Sequence, residues 1–251
     1  MTTPETMADP TSDRNPPSPV LSIVIPAFNE EGRLGASLEK IRAYLAGKPF
    51  AAEVVIVDDG SRDRTSDVAR AALDGRVPYR IIRFGENRGK GAAVKAGVLT
   101  SAGRAVLFTD ADLSAPIEEL DKFLPKLEEG FDVVIGSRAI PGCDIRVPQA
   151  PPRQAMGRFF NRLVRLFVMS GCNDTQCGFK LFRREVALEL FTRLGTAGFA
   201  FDVEILLLAR KLGYKVSEVP VVWCDSRPSR VGILRGSWRM LRELLAIRRL
   251  R

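Results

Sequence analysis

The sequence predicts an α/β fold built on a mostly parallel, doubly wound sheet, and three observations carry that expectation. Apolar runs rich in β-branched residues alternate with helical patterns of about a dozen residues. Polar clusters follow four of those runs, always at the same end. The run ending in Val106-Leu107-Phe108-Thr109 passes directly into Asp110-Ala111-Asp112, two carboxylates spaced i, i+2. Open α/β sheets bind ligands outside the carboxyl ends of their strands. Hard divalent cations such as Mg²⁺ take one or two carboxylates there, together with substrate phosphate oxygens.

The elements follow in order. A strand is expected over Leu21–Ile25, closing in Pro26-Ala27-Phe28-Asn29-Glu30, with a helix over Leu34–Leu45. A second strand, Val54–Val57, ends in Asp58-Asp59-Gly60-Ser61 ahead of a helix over Thr65–Leu73. Tyr79–Arg83 reads as a third strand and Gly89–Thr100 as its helix. Ala105–Phe108 is the strand before the paired carboxylates, and Ile117–Glu128 the helix after them. Val133–Ile135 closes in Gly136-Ser137-Arg138. Helical patterns cover Gln154–Met169, Glu185–Leu194 and Val203–Leu212, a last strand spans Val216–Val222, and a final helix runs from about Ile233 to Arg249. Four strand ends thus converge on one crevice, a coincidence that scattered turn carboxylates would not produce.

The stretch Gly85-Glu86-Asn87-Arg88-Gly89-Lys90-Gly91 is not a nucleotide P-loop. Its glycines are too close together, and Gly91 stands where Ser or Thr would hold magnesium. A helix start bearing Arg88 and Lys90 can still attract an anion; a plain loop-to-helix turn fits equally.

A chain of 251 residues can bury one full core. Residues 1–19, rich in Pro, Ser, Thr and Asp, are expected to be a disordered tail, 20–231 the folded domain and 232–251 a basic amphipathic helix. Cys143, Cys172, Cys177 and Cys224 form no C-x-x-C pair and no leader pattern precedes the domain, so a reduced, cytoplasmic setting is expected. The net charge of +8 is concentrated: Arg138–Met169 holds six Arg against one Asp, and Arg227–Arg251 eight Arg against one Glu. Both segments also carry bulky apolar residues. Nucleic acid would account for the charge alone, whereas a membrane surface accounts for both features. Histidine is absent, so any general base is Asp or Glu, or none is needed, and zinc is disfavoured.

Pro26–Glu30, Val57–Ser61, Asn87–Gly91, Asp110–Asp112, Gly136–Arg138 and Asp174-Thr175-Gln176-Cys177-Gly178-Phe179-Lys180, in this order and spacing, resemble family 2 glycosyltransferases. Within them the chain is most similar to polyprenyl (dolichyl) phosphate sugar synthases, nearest the dolichyl-phosphate β-glucosyltransferase branch, over about residues 20–235. The resemblance implies a GT-A fold and inverting transfer from a nucleotide sugar. It implies that Pro26, Ala27, Asn29, Glu30 and Asp58 face the nucleoside, with Lys90, Asp110 and Ala111 completing the nucleotide site. Asp110 would lie along the ribose and diphosphate, and Asp112 would bind Mg²⁺ or Mn²⁺. Related mannosyl enzymes often carry Gln where this chain has Ser114, which leans away from that branch. Arg138 and Arg153 match positions that clamp an acceptor phosphate, as a guanidinium fork can; Arg153 also fits a solvated helix start. Asp174 and Gln176, with Asp202 and Glu204, match the sugar-side wall, while Asp202 also fits a helix cap. Ser229 and Arg230 match a loop that closes over the donor diphosphate.

A lipid phosphate is already anionic near neutral pH, its second pKa being about 6, so the missing histidine fits such an acceptor. An alcohol acceptor would need a base, for which Asp202 is the candidate. In Gln154–Met169, the residues Met156, Phe159, Phe160, Leu163, Val164, Phe167 and Val168 recur at helical spacing opposite Arg158, Arg162 and Arg165. Trp238, Leu241, Leu244, Leu245 and Ile247 repeat the pattern near the C-terminus. Both suit peripheral attachment to the cytoplasmic face of a membrane, and both also suit core-facing helices with solvated backs. Neither is long enough to span a bilayer. Expected partners are therefore a nucleotide sugar, a polyprenyl phosphate and a membrane surface, with oligomeric state open. Transfer from GDP-mannose, transfer to a glycan or soluble hydroxyl, and a non-catalytic membrane adaptor are the competing readings.

Overall fold

The computed structural model describes residues 19–147, 164, 171–224, 242–244 and 246–247. Seven strands form one sheet in the order β3-β2-β1-β4-β7-β5-β8. The strands β1 (Leu21–Ala27), β2 (Ala52–Asp58), β3 (Tyr79–Arg83), β4 (Ala105–Thr109), β5 (Val133–Ser137) and β8 (Val216–Pro220) run the same way. Between β4 and β5 lies β7 (Phe179–Arg183), antiparallel to both. A separate parallel ribbon joins β6 (Asp144–Val147) to β9 (Val222–Cys224).

Helices cover both faces, as crossover connections between parallel strands require. Along β1, Ile23 and Ile25 join the cluster that holds Leu34, Leu38 and Ile41 of α1 (Leu34–Ala46). α2 (Thr65–Leu73) and α4 (Leu120–Glu128) complete that layer through Ala69, Leu73, Phe123 and Leu127. Val24, between the two isoleucines, faces the opposite cluster with Val94 and Val98 of α3 (Lys90–Thr100), together with α5 (Arg184–Arg193) and α6 (Phe201–Lys211). This alternation fixes register, because a one-residue slip would exchange the two faces. Each buried Val, Leu or Ile adds about 1.5–3 kcal/mol through lost apolar exposure.

The expected α/β class and mostly parallel sheet are observed; β7 departs from expectation. Its sequence Phe-Lys-Leu-Phe-Arg puts a lysine among core positions, and that charge hides the strand pattern. Phe179 and Leu181 nevertheless join the α1 side, Phe182 the α3 side. The expected strand Val216–Val222 is two strands, because the chain leaves the large sheet after Pro220 and pairs with β6 from Val222. The helix expected over Ile117–Glu128 opens as a 3-10 turn, Ile117–Glu119. The expected helix Gln154–Met169 lies outside the described residues except Val164, and the tail lies outside for residues 1–18.

Candidate active site

Parallel strands deliver their following loops to one edge, and an antiparallel strand inserted among them starts at that edge. Thr109 at the end of β4 pairs with Phe179 at the start of β7, so the segment Asp174–Gly178 is brought beside Asp110. The Asp110 backbone N–H donates to Gly178 O at 3.2 Å. A Cβ on Gly178 would stand 2.0 Å from Asp110 Oδ2, so any side chain there would displace the Asp110 carboxylate.

The paired carboxylates are held by cations from neighbouring loops. Lys90, the first residue of α3, places Nζ 2.7 Å from Asp110 Oδ1. Burial pulls its ammonium down, but Asp110 and Asp202 outweigh that and hold it above its ordinary range. Asp112 Oδ1 accepts the Ser114 N–H at 3.0 Å, and Asp112 Oδ2 lies 3.7 Å from Arg33 Nη1. Arg33 also pairs with Glu30. Both carboxylates keep partial exposure at the sheet edge, the arrangement that suits a Mg²⁺ or Mn²⁺ ion shared with phosphate oxygens. No group of three or more His, Cys, Asp or Glu suited to a metal occurs among the described residues.

Arg138, just after β5, makes a side-on bidentate pair with Asp174: Nε to Oδ2 at 2.6 Å and Nη2 to Oδ1 at 2.9 Å. Its backbone N–H donates to Oδ2 as well, at 3.0 Å. Burial pulls the guanidinium down and the carboxylate up, yet their mutual attraction prevails, so both are held firmly charged. The Arg138 guanidinium lies over Trp223 of β9 at 4.6 Å. Glu218 of β8 holds this corner from behind, accepting from Asn173 Nδ2 at 2.8 Å, Cys172 Sγ at 2.9 Å, Asp174 N at 3.2 Å and Asn173 N. Asp174 therefore positions Arg138, and the Nη1/Nη2 edge of the fork lies outside that pair. Gln176 is partly buried in the same turn, its N–H on Asp174 Oδ1 at 3.2 Å.

Asp202 does not cap its helix. α6 begins one residue earlier, and the carboxylate turns inward to a buried ion pair with Lys180. Burial raises the Asp202 carboxyl, opposed by Lys180 and then Lys90. Glu204 accepts the N–H groups of Gly195 and Thr196, both at 2.8 Å, and so fastens the loop before α6. Burial pushes the Cys177 thiol up to about 12, which leaves it a small apolar filler.

On the nucleoside side two loops interlock. Pro26 and Ala27 end β1; Asn29 N donates to Ser61 Oγ at 2.8 Å, Asn29 Oδ1 accepts Arg62 N at 2.8 Å, and Glu30 N donates to Thr65 Oγ1 at 2.7 Å. Asp58 has no exposed surface: it accepts from Ser61 N at 2.8 Å and from Ser66 Oγ, with Arg83 Nε at 3.6 Å. Asp59 accepts Arg88 N at 2.7 Å, Asn87 Nδ2 at 2.9 Å and Gly89 N at 3.0 Å. An internal carboxylate thus takes the Arg88 and Gly89 N–H donors, which leaves the Lys90 side chain as the group of the Gly-rich stretch that points toward the paired carboxylates. Burial raises the Asp59 carboxyl, against those two N–H bonds. Gly60, at φ +75, permits the close approach, for a Cβ would lie 2.4 Å from the Glu86 carbonyl carbon.

Asp59, Arg33, Lys180, Glu218 and Trp223 were not among the sequence candidates. The doublet Asp58-Asp59 and the lysine inside the Gly178-Phe179-Lys180 motif were visible signals; nothing local marks Glu218. Arg153, Ser229 and Arg230 lie outside the described residues. Of the apolar faces assigned to a membrane, Val164, Leu244 and Ile247 are instead part of the core against α5 and α6, and Arg242 is exposed. Packing against the domain thus takes those three side chains from any lipid surface. No helix among the described residues is long and apolar enough to cross a membrane.

The family model for Glycosyl transferase family 2 matches residues 22–191. The chain is 39% identical over 244 residues to the dolichyl-phosphate beta-glucosyltransferase of Drosophila melanogaster, covering 92% of this chain and 75% of that one. It is 35% identical over 246 residues to the enzyme of that name from Saccharomyces cerevisiae, with 91% and 74% covered. Among solved structures, mannosyl-3-phosphoglycerate synthase from Rubrobacter xylanophilus superposes with a TM-score of 0.73 at 21% identity, covering 92% of this chain and 74% of that one. Glucosyl-3-phosphoglycerate synthase from Mycobacterium tuberculosis, crystallised with Mn²⁺, UDP and phosphoglyceric acid, gives 0.70 at 21% identity, with 92% and 78% covered. These two likenesses show the shared GT-A fold.

Proposed function

The chain belongs to glycosyltransferase family 2, and we propose that it transfers glucose from UDP-glucose, with inversion, to a polyprenyl phosphate of the dolichyl type. The observation that carries this reading is the Asp110–Asp112 pair at the sheet edge, met by Lys90 and Arg33, with Arg138 fixed by Asp174 on the segment that β7 brings beside Asp110. Such an arrangement suits two phosphate-bearing substrates. Relatives named for glucosyl transfer to dolichyl phosphate, matched over nine-tenths of the chain, support the sugar and the lipid.

A bound Mg²⁺ or Mn²⁺ supplies Lewis-acid stabilisation of the leaving diphosphate, and Asp112 and Asp110 are the residues that would hold it. The interlocked loops carrying Pro26, Ala27, Asn29 and Glu30, shaped from behind by buried Asp58, form the wall for the nucleoside. Lys90 faces the diphosphate. Arg138, fixed by Asp174, presents its remaining edge to the acceptor phosphate, with Arg153 as a second clamp. Ala111 completes the nucleotide site, Gln176 and Asp202 border the sugar, and Ser229 and Arg230 close over the donor. An acceptor phosphate oxygen bonds to the anomeric carbon as the bond to the diphosphate oxygen breaks and UDP departs. Because that oxygen is anionic already, Asp202 need not act as a base.

The enzyme would act at the cytoplasmic face of a membrane, peripherally attached. With Leu244 and Ile247 in the core, attachment rests on exposed arginines such as Arg242 and on exposed Ile145 and Val147 of β6, whose partner strand carries Trp223 against Arg138. The test is sugar transfer by purified protein with Mn²⁺, offering UDP-glucose or GDP-mannose, each with and without a polyprenyl phosphate. Lipid-dependent product from UDP-glucose supports the assignment. Product from GDP-mannose alone, or turnover with no lipid product, refutes it.

A further inference from the structure

The carboxylates assigned to the metal are already matched with cations of the chain itself. Lys90 Nζ stands 2.7 Å from Asp110 Oδ1, and Arg33 Nη1 3.7 Å from Asp112 Oδ2. Buried Asp202 helps to keep the Lys90 ammonium charged. The helix start that bears Lys90 is fixed by Asp59, which grips the two residues before it. With Glu30, which pairs with Arg33, and the buried Asp202–Lys180 pair counted in, four carboxylates face three resident cations; that single net negative charge attracts a bare divalent ion weakly, and such an ion must also push the Lys90 ammonium off Asp110. A nucleoside diphosphate removes both obstacles. It brings the missing negative charge, and its oxygens give Lys90 and Arg33 new partners at the moment Asp110 and Asp112 are released.

We propose that Lys90 is a resident counter-cation of Asp110 that makes metal binding conditional on the nucleoside diphosphate, so that the two load as one coupled event. The inference rests on the nucleotide-sugar reading above, but not on which sugar or lipid is used. Coupling of this kind is reciprocal: the factor by which UDP tightens the metal is the factor by which the metal tightens UDP.

The experiment counts free Mn²⁺ by its EPR signal as protein is added, with and without UDP, after subtracting the Mn²⁺–UDP complex measured without protein. In the wild-type protein UDP should tighten Mn²⁺ binding by at least about 20-fold. In Lys90→Met, Mn²⁺ alone should bind about tenfold more tightly than to wild type, and the enhancement by UDP should shrink by a similar factor. Lys90→Arg, which keeps the charge, should retain the wild-type pattern. Wild-type Mn²⁺ affinity that UDP does not change overturns the coupling whatever the variants do. A Lys90→Met protein with wild-type affinity for Mn²⁺ alone and an undiminished UDP effect overturns the role of Lys90 and leaves the nucleotide site standing. Failure of the wild-type protein to bind UDP at saturating Mn²⁺ overturns the nucleotide reading, and the coupling with it.

Discussion

Replacing Lys180 with Met should destabilise the protein through the carboxylate it abandons. Lys180 and Asp202 side chains are 1% and 4% exposed, and Lys180 Nζ also donates to Cys177 O at 2.6 Å. Breaking a buried ion pair from one side costs about 3–5 kcal/mol, because the remaining charge is stranded. Lys90 still faces Asp202, so the lower figure applies, about 3 kcal/mol. For a domain of this size that is a fall of about 6–12 °C in melting temperature. The double variant Lys180→Met/Asp202→Leu removes both charges and should recover most of the loss. The sign of the pH dependence follows from Asp202, whose folded-state carboxyl is raised above its ordinary value by burial. Such a group favours folding fully below its unfolded-state value, about 4, and loses that contribution as pH rises through the folded-state value. Without Lys180 the folded value rises further, so the deficit of Lys180→Met should be large at pH 7.5 and shrink at pH 5. Urea unfolding of both variants at the two pH values measures it. A single variant within about 1 kcal/mol of wild type at pH 7.5, or a double variant as unstable as the sum of the two single changes, would refute the stranded-charge account.

Gly178→Ala should fold with a near-native melting temperature, since the displaced atoms are the free end of the Asp110 side chain, yet Mn²⁺-dependent turnover should fall sharply. A metal titration of activity decides this, and wild-type turnover would show that Asp110 is not used where it stands. Asp112→Ala should abolish metal-dependent transfer while leaving the fold intact by circular dichroism; retained activity removes Asp112 from the mechanism. Glu218→Ala strips four acceptor interactions from the Cys172–Asp174 turn and should cost about 1–3 kcal/mol. It should also raise the KM for lipid phosphate with little change in that for UDP-glucose, and equal loss on both substrates would count against action through Arg138. Asp59→Ala should lower kcat/KM for the donor by freeing the Asn87–Gly89 loop that precedes Lys90, with Asp59→Asn retaining part of the activity.

The strands flanking the crevice and the crevice's location were legible because apolar β-branched runs and strand-end polarity are local signals, readable in Leu21–Glu30 or Val106–Asp112 alone. β7 was not, because its third-dimensional setting inverts the usual rule: Lys180 is a core residue only because Asp202, twenty-two positions later, is buried beside it. The ribbon of β6 and β9 was missed for a different reason. All four residues of β6 are exposed, so burial imposes no pattern on them.

The same distance effect separates the residues that could be placed in the site from those whose work could be read. Asp174 and Asp202 were both singled out as candidates for the sugar-side wall, but sequence carries no sign that each is bound to a cation of the chain. Asp174 is engaged by Arg138 and Asp202 by Lys180, and Asp110 by Lys90. A carboxylate so engaged contributes chiefly by fixing the cation it holds. Asp174 and Asp202 thus act first as supports for Arg138 and Lys180, whereas Asp110 is the carboxylate that would give its cation up to a nucleoside diphosphate. The sensitivity of the site to substitution should accordingly follow these pairs. Removing either partner of Arg138–Asp174 should impair the lipid phosphate step alike, and the double variant should lose little more than either single one. Additive losses in that cycle, read as kcat/KM for the lipid acceptor, would mean that Asp174 acts on substrate independently of Arg138.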